Sequence, residues 1–220
     1  MSEDLAAAVG WVLSAGARAI VLDAEPPVFC AGGSLDDLLE RARPLAQTYA
    51  GFLALADAPV PTIAAVAGAA IGAGVNLPLA CDVVIAGESA RFDPRFLDIG
   101  IHPGGGHMWR LAQRVGPQGA AALVLCGDVL TGAEAVVVGL AWRCVPDSEV
   151  LAVAAGLARR AAGRSPGLVQ RAKQVLRATT GYAAGVSAAV EAELAAQQWS
   201  VEQPYFEDTI RALRAKIGSR

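Results

Sequence analysis

The sequence predicts an α/β fold, and three observations carry that prediction. Short apolar runs such as "RAIVLDA", "PTIAAVAG" and "CDVVIAG" have strand character and are bounded by glycine, proline or acidic residues. Stretches of helical periodicity separate them, the pattern of an α/β chain. Helical segments then dominate from His107 to the C-terminus. At 220 residues the chain is long enough to bury a substantial core as one domain, with at most a small appendage.

In order along the chain, a helix is predicted from about Ser2 to Ala15, then a strand in "RAIVLDA" that ends at Asp23. "EPPVFCAGGSL" reads as a loop because of its prolines and glycines. "LDDLLERARPLAQTYAGFLALADA" resumes helical periodicity, with Pro44 placed to kink or break it. "PTIAAVAG" reads as a buried strand, Gly72 to Ala80 as a short helix and "CDVVIAG" as another strand. "ARFDPRFLDIGIHPGGG" reads as irregular. "MWRLAQRVG", "PQGAAALVLCG" and "TGAEAVVVGLA" follow as helices, with "AWRCV" as a brief strand among them. There is no internal repeat and no low-complexity linker.

Composition excludes several classes of function. A net charge of −3 argues against a nucleic-acid partner or an anionic membrane surface. The uncharged run from Ala58 to Cys81 is broken by Pro59, Pro61, glycines and Asn76, so it reads as strand, turn and helix and not as a membrane span. "LAAAVGWVLSAGA" resembles a signal-peptide core, yet Glu3 and Asp4 precede it instead of Lys or Arg; a cytoplasmic protein is expected. Cys30, Cys81, Cys126 and Cys144 form no CxxC pair and read as reduced thiols. With His102 and His107 as the two histidines, a zinc-type metal site has too few ligands.

The chemistry points to two glycine turns. "FCAGGSL" and "GAAIGAGVN" each place small residues where a loop meets the next helix. Backbone N–H groups in such turns are uncovered, and a helix N-terminus adds partial positive charge. Two convergent N–H donors can hold a carbonyl oxygen as it gains negative charge. Taken singly, each turn reads first as a device for tight turns and close packing; together they point to chemistry.

The series "FCAGGSL", "PVPTIAAVAGAAIGAGVNLPLACDVVIAGESARF" and "LDIGIHPGGGHMWRLAQRVG" resembles the crotonase superfamily, the enoyl-CoA hydratase/isomerase family, from about residue 5 to the C-terminus. The resemblance implies a spiral of ββα units over 1–145 and a C-terminal helical trimerisation region over 146–220. It implies an acyl-CoA substrate, with coenzyme A as part of it and no other cofactor, and a homotrimer or dimer of trimers. By position the two oxyanion-hole amides fall on Gly33 and Ala73, with Ala31 and Gly32 in the first turn. Ser34 stands where Asp is frequent in the family and is expected to cap the next helix.

The family's acid positions carry other residues. Its hydratase glutamates fall on Asn76 and Phe96, and the isomerase acid falls on Gly104. Asn76 can orient a water but an amide cannot take its proton near neutral pH. Asn76, Phe96 and Gly104 are therefore read as lining the substrate site. A non-standard proton carrier is expected among Asp98, His102 and His107, with Asp98 favoured and His102 next. Each also has a structural reading: Asp98 as a cap or partner of Arg95, His102 as a turn residue beside Pro103, and His107 as an early helix position.

A further departure from the family completes this reading. Its leading β-rich segment, which contacts CoA phosphate and pantetheine, has no counterpart before Met1. Lys173 and Lys216 are candidate phosphate contacts. Val186, Val190 and Leu194 form an apolar stripe that reads as intrachain core, with an intersubunit role implied by the resemblance. The rival to an enzyme is a catalytically silent acyl-CoA-binding or accessory protein of the same fold.

Overall fold

A computed structural model describes residues 1–40, 43–180 and 182–218. Helix α1 (Ser2–Ser14) leads to strand β1 (Ile20–Leu22), then β2 (Val28–Cys30) and α2 (Leu35–Glu40). A 3-10 turn at Leu45–Tyr49 follows Pro44 and runs into α3 (Ala50–Asp57). β3 (Thr62–Val66) and β4 (Ala69–Ile71) precede a 3-10 turn at Gly72–Val75 and α4 (Asn76–Ala80). β5 (Val83–Gly87), β6 (Arg91–Asp93), a 3-10 turn at Leu97–Ile99 and α5 (His107–Leu125) come next. β7 (Leu130–Thr131), α6 (Gly132–Val137) and β8 (Arg143–Val145) close the strand region. α7 (Val150–Ala162), α8 (Pro166–Thr179), α9 (Tyr182–Val201) and α10 (Pro204–Gly218) complete the chain.

Each pass of the chain lays one strand in each of two sheets. One sheet has the order β1-β3-β5-β8 and is parallel throughout; the other is β2-β4-β6-β7, parallel except for β7. A helix returns the chain after each of the first three strand pairs, which gives a spiral of ββα units, and in the last pass α6 stands between β7 and β8. Side chains alternate across a strand, and β3 shows why both faces are apolar. Ala64 and Val66 enter the main core with Val84 and Ala86 of β5, while Ile63 and Ala65 face Ile85 and the α7 residues Val150 and Ala154.

The structure corrects three local expectations. "EPPVFCAGGSL" contains β2, and "ARFDPRFLDIGIHPGGG" contains β6. Both strands are three residues long, too short to show a period; pairing with β4 on either side makes them strands. Gly72 to Ala80 divides into a 3-10 turn and a short α-helix. The two helices expected at "MWRLAQRVG" and "PQGAAALVLCG" abut within α5, where Gly116 has φ 72 and ψ 169, ahead of Pro117. Residues 41 and 42 of the predicted "LDDLLERAR" helix lie outside the described residues. All four cysteines are free thiols.

The C-terminal helices fold back on the spiral. Val190 and Leu194 of α9 pack against the main core, as the apolar stripe predicted. Phe206 and Ile210 of α10 join Phe96 and Ile101 in a separate cluster. Among the described residues no helix is long and apolar enough to cross a membrane.

Candidate active site

Three adjacent parallel strands, β2, β4 and β6, place every residue singled out around the glycine turns at one sheet edge. Because β2 and β4 run side by side, with Val28 opposite Ala69 and Cys30 opposite Ala70, the turns that follow them leave as neighbours. β6 pairs with β4 on the other side, so the segment carrying Phe96, Asp98, His102 and Gly104 leaves from the same edge. The carboxyl end of parallel strands is where open α/β sheets form ligand crevices.

The two glycine turns touch through backbone. Gly32 has φ +88, and a Cβ built there would lie 2.7 Å from the Ile71 carbonyl oxygen and 3.4 Å from the Ala73 nitrogen. A side chain at Gly32 is thus excluded both by conformation and by contact with the second turn. At Gly74 contact alone excludes a side chain, because a Cβ there would meet the Cys30 carbonyl. Ala73 is the second residue of its 3-10 turn, where N–H groups have no partner within the turn. Ala31, Gly33 and Ala73 are exposed. Ser34 caps α2 as expected, its Oγ accepting from the Asp37 N–H at 3.2 Å.

Behind the second turn lies a buried polar chain. Asn76 is 2% exposed; its Nδ2 donates to the Gly104 carbonyl at 3.3 Å, which directs Oδ1 to His107 Nδ1 at 2.8 Å. Oδ1 only accepts, so Nδ1 carries the imidazole proton and Nε2 presents a lone pair. His107 Nε2 is buried and has no hydrogen-bond partner among the described residues. Burial, and then the Arg110 guanidinium and His102, push the His107 pKa down to about 3, so the ring is neutral near pH 7. The Phe96 ring stands against it at 4.8 Å between centroids and 65° between planes.

The backbone of this region is clamped by the C-terminal helices. Glu193 of α9 accepts from the N–H groups of His107 at 2.6 Å, Met108 at 2.9 Å and Trp109 at 3.4 Å, capping the start of α5. A carboxylate here meets both the unpaired N–H groups and the positive end of the helix. Burial nevertheless pushes the Glu193 carboxyl above its ordinary range, against the pull of those donors. Tyr49 is hydrogen-bonded to Gln197, and a Cβ on Gly104 would lie 2.5 Å from Gln197 Oε1. An acid side chain at Gly104 therefore has no room unless this pair moves.

The expected proton carriers occupy different surroundings. Asp98 is exposed on the Leu97–Ile99 turn, and its charge acts on Arg95. His102 is half-buried: its N–H donates to Ser200 Oγ at 2.9 Å, and its Nδ1 lies 2.6 Å from the Pro103 carbonyl. Lys173 is committed elsewhere, with Nζ 2.6 Å from Asp82 Oδ2 and 2.8 Å from the Val60 carbonyl. Asp82 in turn accepts from the Thr62 N–H at 2.8 Å, so this lysine ties α8 to the start of β3 and is not free to meet a phosphate. Lys216 is exposed near the end of α10.

Sequence reasoning missed Glu193, Tyr49 and Gln197, and it read His107 as a proton-carrier candidate or an early helix position without its link to Asn76. A signal was present: Glu193 and Gln197 continue the Val186, Val190, Leu194 stripe at helical spacing, and a polar residue on a buried face calls for a partner.

Residues 2–212 match the family described as Enoyl-CoA hydratase/isomerase. A Mycobacterium tuberculosis protein named "Probable enoyl-CoA hydratase EchA14" is 40% identical over 198 residues, covering 86% of this chain and 77% of the relative. The 2,3-dehydroadipyl-CoA hydratase of Escherichia coli is 40% identical over 169 residues, 76% of this chain and 66% of the relative. The crystal structure of an enoyl-CoA hydratase/isomerase from Pseudoalteromonas atlantica superposes with a TM-score of 0.87 at 28% identity, covering 98% of this chain and 88% of that one. With its ββα spiral, paired glycine turns and nearly full-length match, the chain belongs to the enoyl-CoA hydratase/isomerase family of the crotonase superfamily.

Proposed function

We propose that the chain is an acyl-CoA thioester enzyme of the enoyl-CoA hydratase/isomerase type. Its relatives' names support the substrate class, since they describe hydratases of enoyl-CoA esters. The observation that carries the reading is the backbone contact between the turns at Gly32 and Ala73, on the carboxyl edge of paired parallel strands. In this reading the Gly33 and Ala73 N–H groups receive the thioester oxygen and stabilise it as it takes on enolate charge. Fixed main-chain donors need no reorganisation during the reaction, so each contributes on the order of a hundredfold or more in rate. No cofactor beyond the coenzyme A of the substrate is invoked. The chain acts as a cytoplasmic homotrimer or dimer of trimers, the assembly its family resemblance implies.

Proton transfer is assigned to the segment after β6, which carries Asp98 and His102. Asp98 is favoured, exposed on the Leu97–Ile99 turn, with His102, half-buried beside Ser200, next. Ala31, Gly32, Asn76, Phe96 and Gly104 line the site in this scheme.

The test is loss of crotonyl-CoA absorbance on mixing, with Gly32→Ala as the control. That substitution is expected to lower kcat/KM by about a hundredfold or more, because it pushes the two turns apart. If no acyl-CoA raises the melting temperature and none is consumed, the thioester reading fails. A second reading, an acyl-CoA binder without turnover, is favoured by one observation: Asn76 Oδ1 is already engaged by His107. Stabilisation by acyl-CoA with no consumption of several thioesters would select it.

A further inference from the structure

Away from the glycine turns the chain forms a second concave space. A cavity of about 280 Å³ lies where the end of α1, the loop before β3, the end of α7 and the start of α8 meet. Its walls are chiefly apolar, with Pro59, Val60 and Val169 among them, and its charged residues are Arg18 and Arg164. Among the described residues no acid lines it, and neither arginine is in an ion pair. Arg18 donates to the Arg164 carbonyl, which ties the two residues together. Lys173, one turn further along α8, donates to the Val60 carbonyl at 2.8 Å and so fixes the facing wall, its own charge matched by Asp82. α8 begins at the rim, with Pro166 in the lining and no side-chain cap from Ser165, so the positive end of its dipole adds to the arginines' field. Low-dielectric walls carrying one sign of charge concentrate counter-ions. An apolar lining with a few placed polar groups is also the make-up of small-molecule sites, which start at about 300 Å³.

We propose that this cavity binds a phosphate monoester with a small apolar body, at a site separate from the thioester crevice. Two guanidiniums match the charge of about −1.5 to −2 that such a group carries at pH 7, and each presents a fork of donors to its oxygens. A carboxylate carries a single charge and leaves one guanidinium without a counter-charge. The walls at Pro59, Val60 and Val169 receive the body. No residue of the lining belongs to the glycine turns or to the Asn76 cluster, so occupancy does not require a thioester.

Calorimetry with phenyl phosphate, inorganic phosphate and benzoate, on wild type, Arg164→Gln and Arg18→Gln, tests this. Phenyl phosphate should bind wild type roughly tenfold or more tighter than inorganic phosphate, which lacks the body, and than benzoate, which lacks the second charge. Each substitution should weaken phenyl phosphate by about tenfold or more. Arg164 is exposed, so Arg164→Gln is expected to melt with the wild type. No binding of phenyl phosphate, equal binding by wild type and both variants, or benzoate binding as tightly, overturns the assignment. Crotonyl-CoA supplies the last arm, because its coenzyme moiety also carries a phosphate monoester. Saturating crotonyl-CoA should leave the phenyl phosphate affinity unchanged. Competition between them would make the cavity part of the thioester site and overturn a separate one, with the thioester reading left standing. If crotonyl-CoA itself does not bind, that reading fails while the phenyl phosphate titrations still decide the cavity.

Discussion

His107 makes stability depend on acidity in a direction that can be worked out. Its folded pKa of about 3 lies below the ordinary 6.5, so between those values the unfolded chain binds a proton that the folded chain refuses. The contribution is therefore complete above pH 6.5 and is lost as pH falls toward 3, at about 1.4 kcal/mol per pH unit. Urea unfolding at pH 7, 6 and 5 should show wild type losing stability faster than His107→Asn. Parallel losses would mean that the imidazole is not held neutral. At this scale the sequence was legible where a residue's role lies in its own backbone, as at Ser34 and the glycine turns. It was silent where the role depends on a partner remote in sequence: His107 is defined by Asn76 and Glu193, which stand 31 and 86 positions away. The exposure of Asp98 likewise follows from the turn at Leu97–Ile99, which no local spacing announced.

Elements are joined here by charged groups whose work is structural. Lys173 of α8 is 9% exposed and reaches Asp82, which also binds the N–H and hydroxyl of Thr62 at the start of β3. Burial lowers the Lys173 pKa despite the attraction of Asp82, so the pair is a costly link held in place by its geometry. Removing one partner strands the other. Lys173→Ala is expected to cost about 2–4 kcal/mol in chemical denaturation, with acyl-CoA affinity unchanged. A loss of CoA affinity at unchanged stability would restore the phosphate-contact role that the sequence suggested. The longer strands β3 and β5 were legible because apolar runs of that length have few alternatives. β2, β4, β6 and β7, at two or three residues each, are strands only by virtue of their neighbours, and for that reason the site-bearing sheet was the harder one to see.

Across the whole molecule, the crevice edge built by the first three passes of the spiral is completed from the far end of the chain. Phe206 is fully buried against Phe96 and Ile101, and Phe96 is the residue whose ring meets His107. α10 thus supports the site through one side chain, while α9 supports it through Glu193 and Gln197. Phe206→Ala removes a large buried side chain at a seam between α10 and the segment after β6, with a cost of about 3–5 kcal/mol. If the helical layer is part of one cooperative unit, a single unfolding transition should shift to lower denaturant with its slope preserved. Loss at a separate seam would instead show as faster amide exchange at Ile99 to His102 and in α10, with β3 and β5 still protected. The first outcome makes the C-terminal helices as necessary to the site as the glycine turns. The second makes them a cover that can lift while the spiral stays folded. Hydrogen exchange on wild type and Phe206→Ala, run side by side, decides between the two, and unchanged stability and exchange would mean that Phe206 carries none of the contact described.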